Sequence, residues 1–215
     1  MLDVAIRSWP LLLAGAGETL LLTCASGILA TLLGALLALG QLFAPRPARF
    51  LIEVLLYAIR GVPLLVLLFA MYYALPYAGI DLSPRVGGIL VLGIYFATFM
   101  TEIFRGAVQA VPKGQWDAAR AVGMHGRLLM TLVIGPQAVR LALPPYVNTM
   151  IMLVKGTSLV SAIGLAELTL AGKQIVERTL AAFQIFGAVA LIYFVICYGL
   201  ALAGRAIERR FGHVQ

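Results

Sequence analysis

The chain has 215 residues, 62% of them hydrophobic and 12% charged, with a formal net charge of +7 and a mean hydropathy of +0.99. A soluble domain averages about 45–50% apolar and roughly 25% charged residues, and its largely polar exterior has no place for this much apolar surface, so a water-soluble fold is excluded. The positive surplus argues against nucleic acid, because the Lys and Arg stand at the ends of apolar runs and not in one patch interleaved with aromatics; in a bilayer such a surplus sets orientation and meets lipid head groups.

Residues 9–44 hold a single charge, Glu18. At about 1.5 Å per residue this run is far longer than a ~30 Å hydrocarbon core. It divides into an interfacial approach over 9–16 and a first span over 17–40, closed by Pro45, Arg46, Pro47 and Arg49, with Glu18 at the outer interface. Arg7 precedes the run, which is too long for the apolar core of a cleavable signal peptide. The second span is predicted over 51–75, before Pro76 and the polar stretch 81–85, and the third over 86–104.

Residues 105–136 differ in kind. They carry Arg105, Lys113, Asp117, Arg120, His125 and Arg127, with Pro112 and Pro136 as bookends. Within them 116–122 has helical residues and no breaker, so a short exposed helix is predicted, with Gly123 suited to end it in a left-handed cap. Its small residues Ala118 and Ala119 let another surface approach the backbone. Physics alone leaves two readings open: docking into a groove on a cytoplasmic partner, or an amphipathic helix lying on the head groups.

The fourth span is predicted over 138–165 with Pro144 and Pro145 inside it, then a polar connector over 166–182, and a fifth span over 183–203. The fold class is thus all-α and integral to the membrane, a single domain of five transmembrane helices over 1–215, without internal repeat. Orientation follows from the positive-inside rule. With the 41–50 loop, the 105–140 loop and the tail in the cytoplasm, that side carries Arg46, Arg49, Arg105, Lys113, Arg120, Arg127, Arg140, Arg205, Arg209 and Arg210; the other carries Arg7, Arg85, Lys173 and Arg178. The amino end is expected outside and the carboxyl end inside.

Ionisable residues within spans cost at least a few kcal/mol at mid-membrane and face protein or water-filled space. Arg60, followed by Gly61 and Pro63, and Lys155, with Asn148, Thr157 and Ser158 within about three turns, either line a polar path or make structural pairs. Glu102 has Arg105 three residues on, a helix-face partner. Pro144, Pro145 and Gly156 are expected to break span four, which serves a cavity or only packing. Cys24 and Cys197 read as buried thiols without metal partners, and the Met residues as packing filler. Ala171-Gly172-Lys173 lacks the Ser/Thr and earlier Gly of a phosphate loop. Ser158 has no base for hydrolysis, since neither His125 nor His213 falls in a span.

The order Asp117-Ala118-Ala119, Gly123, then Val133-x-Gly135-Pro136 resembles the EAA loop of ABC importer permeases, whose pattern is Glu-Ala-Ala, Gly, Ile-x-Leu-Pro. Arg60-Gly61-Val62-Pro63-Leu64-Leu65, Thr101-Glu102-Ile103-Phe104-Arg105-Gly106, Val111-Pro112-Lys113-Gly114-Gln115 and Lys155-Gly156-Thr157-Ser158-Leu159 are similar to segments of the polar amino-acid branch (histidine, glutamine, glutamate and arginine permeases). Asp117, Gly135, Val62 and Gly156 depart from its usual Glu, Leu, Thr and Asp. The resemblance implies a type I, binding-protein-dependent permease of the bacterial inner membrane. Gln115, Trp116, Asp117, Ala118, Ala119, Gly123 and Met124 would form a coupling helix for cytoplasmic ATPase subunits that hold the ATP and Mg, this chain holding no cofactor. A second permease and an extracytoplasmic solute-binding protein are the other implied partners, with Arg60, Asn148, Lys155, Thr157 and Ser158 as path candidates. The alternative is an ion-coupled secondary transporter, against which the missing repeat argues.

Overall fold

The computed structural model describes residues 2–211, with side chains from Ser8 to Arg210; His213 lies outside the described residues. Nothing in the first apolar run ends a helix before Pro45, and it forms one helix, α1 (Leu2–Phe43), of which Ser8–Phe43 is apolar enough to cross a membrane. The expected division into an interfacial approach and a span is corrected here. Residues 9–16 do not all rest on head groups: Leu12 and Ala16 are buried in a cluster with Leu168, Ile175, Ile185 and Val189.

The second span is also corrected. α2 (Arg46–Arg60) and α3 (Leu64–Phe69) meet at a 94° bend, and α3 runs on through a π-helical turn, Ala70–Ala74, and a 3-10 turn, Leu75–Ala78. Pro63 disfavours helical backbone at the residue before it and cannot donate to the ladder, so the straight span 51–75 becomes a broken one. α4 (Pro84–Gln109) starts cleanly: Ser83 Oγ accepts the Val86 N–H at 3.3 Å and Pro84 takes the first helical position.

α5 (Lys113–Ala121) and α6 (Gly126–Leu129) form the loop, and a π-helical turn, Met130–Ile134, leads into α7 (Gly135–Gly156). Pro144 and Pro145 do not interrupt α7, contrary to expectation; the α-helix ends at Gly156 and continues as a 3-10 turn, Thr157–Ile163. The polar connector is no plain linker, because it contains α8 (Leu168–Thr179), and α9 (Ala182–Phe211) closes the chain. Among the described residues four helices are long and apolar enough to span, and the bent pair makes a fifth span.

The core is the seam of α1 on α4. A Cβ on Gly34 would lie 2.5 Å from Met100 Cβ, so only glycine permits this approach, the small-residue logic of helix packing in lipid. Leu22, Ala30, Leu92, Phe96 and Met100 fill the seam, with Leu64 and Leu68 of α3 and Leu153 of α7 against them. α9 is peripheral and turns Leu191, Phe194, Val195 and Leu202 outward. Cys24 is exposed and Cys197 half-buried, so neither is the buried thiol expected from its apolar neighbours.

Two polar ties close the end of the bundle away from loop 105–136. Arg85 Nε and Nη2 donate to Glu18 at 2.6 and 2.8 Å, a bidentate pair joining α4 to α1. One residue along, Thr19 faces Glu167, the N-cap of α8, which is fully buried. Glu167 accepts the N–H groups of Leu170 and Thr169 at 2.9 and 3.0 Å and the Tyr193 hydroxyl at 2.8 Å. Burial pushes its carboxyl above the usual carboxylate range, outweighing those donors.

Truncation of Glu167 to Ala should cost roughly 2–3 kcal/mol, the scale of hydrogen bonds to a charged group, read as a lower unfolding temperature in detergent. Because the folded carboxyl holds its proton more tightly than the unfolded one, its contribution is full below the ordinary value of about 4.3 and fades as pH rises through the shifted one. Relative to Glu167→Gln, the parent protein should therefore gain stability as pH is lowered from neutrality. Parallel pH profiles for the two would contradict this.

Candidate functional site

The loop helix α5 is built as a platform. Its C-terminus closes with Gly123 at φ 82°, the Met124 N–H on Ala119 O at 3.0 Å and the Gly123 N–H on Arg120 O at 2.9 Å, the paired bonds of a Schellman cap. Beneath it, Ala119 is buried in a cluster with Ala107, Val111, Leu129, Ile134 and Ala138, and Trp116 and Met124 pack against the same cluster. Lys113, Gly114, Gln115, Asp117, Ala118 and Arg120 face out. The expectation that Ala118 and Ala119 together admit a partner is corrected: Ala118 faces out, while Ala119 is consumed by the protein's own feet of α4 and α7.

The outer face is knitted locally. Arg120 lies over the Trp116 ring at 5.9 Å and 3.9 Å from Asp117, and Gln137 Nε2 donates to Gln115 Oε1 at 3.2 Å. The Asp117–Arg120 pair is exposed, where such pairs add little stability; its effect is to pattern charge.

Arg60 is engaged by its neighbours. Its Nη2 lies 3.6 Å from Glu102 Oε1, its Nε donates to Leu56 O at 3.3 Å, and it sits over Tyr57 at 5.3 Å. Glu102 also accepts from Arg105, whose Nε lies at 3.2 Å and whose Nη1 reaches Gln109. One carboxylate between two guanidiniums thus ties the end of α2 to α4. Glu102 has the partner expected of it, and Arg60 takes the structural-pair reading.

Among the α7 candidates, Thr157 is fully buried and donates to Val154 O at 2.7 Å. Ser158 is half-buried and donates to Lys155 O at 2.7 Å. Asn148 and Lys155 are exposed, on the same stripe as Leu141, Pro144, Pro145 and Met152, residues that recur at the three- and four-residue spacing of one helix face. Sequence reasoning does not find Thr19, Glu167 and Tyr193 as a polar set. Leu168, Ala171 and Ile175 at helical spacing behind an acidic N-cap were the available signal for α8 and Glu167.

The chain is thus a polytopic helical bundle that presents a packed helix at one face and exposes Asn148 and Lys155 on a spanning helix. Residues 30–213 match the model of the binding-protein-dependent transport system inner membrane component, and the chain belongs to that family. It is 38% identical over 203 residues to the L-cystine transport system permease protein TcyB of Bacillus subtilis (strain 168), covering 94% of this chain and 87% of that protein. It is 35% identical over 203 residues to the glutamine transport system permease protein GlnP of Escherichia coli (strain K12), covering 94% and 93%.

A solved amino acid ABC transporter with histidines matches with a TM-score of 0.90 at 33% identity over 96% of both chains. The inward-facing MetNI methionine ABC transporter matches with a TM-score of 0.77 at 23% identity, over 94% of this chain and 96% of that one, and shows the shared fold alone. The fold is that of a type I ABC importer permease.

The two alanines of α5 should separate by experiment. Ala119→Glu places a charge among Val111, Leu129 and Ile134 and should loosen the loop, so that trypsin cuts at Arg120 and Arg127 at least tenfold faster, about 1.4 kcal/mol of lost local stability. Ala118→Glu, on the exposed face, should leave cleavage unchanged. Equal sensitivity of the two variants would contradict the packing described.

Proposed function

We propose that this chain is the translocating subunit of an ATP-driven importer for a polar amino acid. The observation that carries the proposal is the α5 platform, a capped helix set on the feet of α4 and α7 with Gln115, Asp117 and Ala118 outward. A helix docked in a groove on a cytoplasmic ATPase would push through Trp116, Ala119 and Met124 into those feet. The relatives named for cystine and glutamine transport support the substrate class.

ATP and Mg belong to two ATPase subunits in this reading, and chemistry takes place there. This chain turns the movement of its docked helix into alternating access. A second permease, identical or similar, completes the pathway, with Asn148 and Lys155 of each α7 stripe facing the solute. An extracytoplasmic binding protein delivers that solute. The excess of Lys and Arg in the 41–50 loop, the 105–140 loop and the tail supports a cytoplasmic position for loop 105–136 and the carboxyl end, with the amino end outside.

Uptake by the complex in proteoliposomes should require ATP. Deletion of 115–122 should abolish it, and Ala118→Glu should lower it at least about tenfold without loss of the permease from the membrane. Lys155→Ala should raise KM more than it lowers the maximal rate, the signature of a lost binding contact. Uptake driven by an ion gradient without ATP would replace the proposal with a secondary transporter, and full coupling in the deletion variant would remove α5 from the coupling role.

A further inference from the structure

A groove of 460 Å³ opens between α1, α4 and α7 on the half of the protein that adjoins loop 105–136. Thr31, Ala35 and Leu42 of α1, Ala107 of α4, and Ala138 and Tyr146 of α7 line it. Its polar groups are already paired: Thr31 Oγ1 donates to Gly27 O at 2.7 Å and lies 3.1 Å from the Tyr146 hydroxyl, which therefore donates to it. The rest of the wall is apolar, and small residues hold the furrow open.

Three observations say what fills it. From Thr31 to Leu42 the groove spans about 16 Å at 1.5 Å per residue, close to half of a ~30 Å hydrocarbon core, about one leaflet. At about 30 Å³ per water-sized group, such as a methylene, its volume takes roughly fifteen, the content of one fatty acyl chain. At its mouth, exposed Arg49 is fixed by donation from Nε to Ala44 O at 2.6 Å and from Nη2 to Leu42 O at 3.2 Å. Leu42 is itself a lining residue, so the guanidinium stands at the level where an acyl chain meets its head group, and Arg46 lies one turn away in sequence. Two carbonyls occupy two of the five N–H donors of Arg49, leaving capacity for a phosphate.

We propose that this groove holds one acyl chain of an anionic phospholipid from the leaflet on the loop 105–136 side, with its phosphate on Arg49. A second copy of the chain fits less well. The stripe of Pro144, Asn148 and Lys155 lies about 140° around α7 from the groove residues Ala138, Ala142 and Tyr146, at 100° per residue. A partner seated on that stripe leaves the groove turned toward lipid.

Val139 forms the lip of the groove and is 65% exposed, so Val139→Trp gives a reporter without disturbing the core. The full-length permease carrying it is reconstituted with brominated phosphatidylglycerol or brominated phosphatidylcholine, and the signal of the parent, with its own Trp9 and Trp116, is subtracted. Phosphatidylglycerol should quench the reporter at about fivefold lower mole fraction than phosphatidylcholine. Arg49→Gln should remove that preference, and Leu191→Trp on the outward face of α9 should show none. Equal quenching by both lipids at Val139→Trp would reduce the groove to ordinary lipid contact. A preference that survives Arg49→Gln would remove the head group from Arg49. A reporter that neither lipid reaches, beside a quenched Leu191→Trp, would show that a second copy covers the groove. Both leaflets contain the probe, so none of these outcomes depends on the orientation of the chain or on its transport role.

Discussion

Hydrocarbon offers no hydrogen bonds, so each polar group carried into it must find its partner inside the protein. Four threonines obey this locally: Thr23, Thr31, Thr101 and Thr149 each donate to the carbonyl four residues earlier, on Thr19, Gly27, Ala97 and Pro145. Several charged groups also reach beyond their own turn, and these become the ties between helices. Glu18 reaches Arg85, Glu167 collects donors from its own N-terminal turn and from α9, and Glu102 is shared by Arg60 and Arg105. Seen against this rule the α7 stripe is an exception. Asn148 and Lys155 stay exposed beside two prolines that withdraw donors from the ladder, which is incompatible with a lipid-facing surface and compatible with a partner or a wet path.

The ties also divide the labour along α1. At the end away from loop 105–136 the adjacent residues Glu18 and Thr19 point to different helices, so one turn fixes the starts of both α4 and α8. At mid-membrane the glycine seam fixes the distance between α1 and α4 by sterics alone. On the other half, α1 holds α2 by the short turn through Pro45 and by Arg49, which donates to Leu42 O and Ala44 O, and α2 is tied back to α4 by the Arg60–Glu102 contact at 3.6 Å. The 94° bend after Arg60 leaves α3 packed on the core through Leu64 and Leu68 while α2 lies outside it. A net surplus of one positive charge in the Arg60–Glu102–Arg105 group favours a position near the polar interface, where guanidinium groups are hydrated at little cost.

Composition alone identifies the bilayer, and helix residues without breakers identify α4 and α9. The bend was written in Gly61-Val62-Pro63, and counting apolar length across it concealed a signal that breaker residues carry locally. The same happened at α8, where charged Lys173, Glu177 and Arg178 made a polar stretch of what is an amphipathic helix with Leu168, Ala171 and Ile175 inward. The reverse error occurred at Pro144 and Pro145, which stay within α7 because neighbouring helices hold a membrane helix together where water would not. What was not legible are the ties. Arg85 and Glu18 are 67 positions apart and Tyr193 and Glu167 are 26 apart, and no periodicity connects them. Which of Ala118 and Ala119 faces inward depends on where the feet of α4 and α7 lie, so the loop's own sequence is silent on it.

That inward alanine bears on how a docked helix would transmit force. A helix that merely lay on head groups would slide when pushed, because lipid resists shear poorly. α5 is seated on a cluster whose members Ala107 and Val111 belong to the end of α4 and whose members Ile134, Ala138 and Ala142 belong to the start of α7. Close-packed interiors resist compression and pass displacement on, so movement of α5 reaches both helices at once. α7 carries the polar stripe, and α4 is the helix to which Arg60 and the broken span are tied. The residues that give α5 its seat are therefore the ones through which a push on α5 would reach the two elements bordering the proposed path, and the exposed residues above them would have only to be gripped.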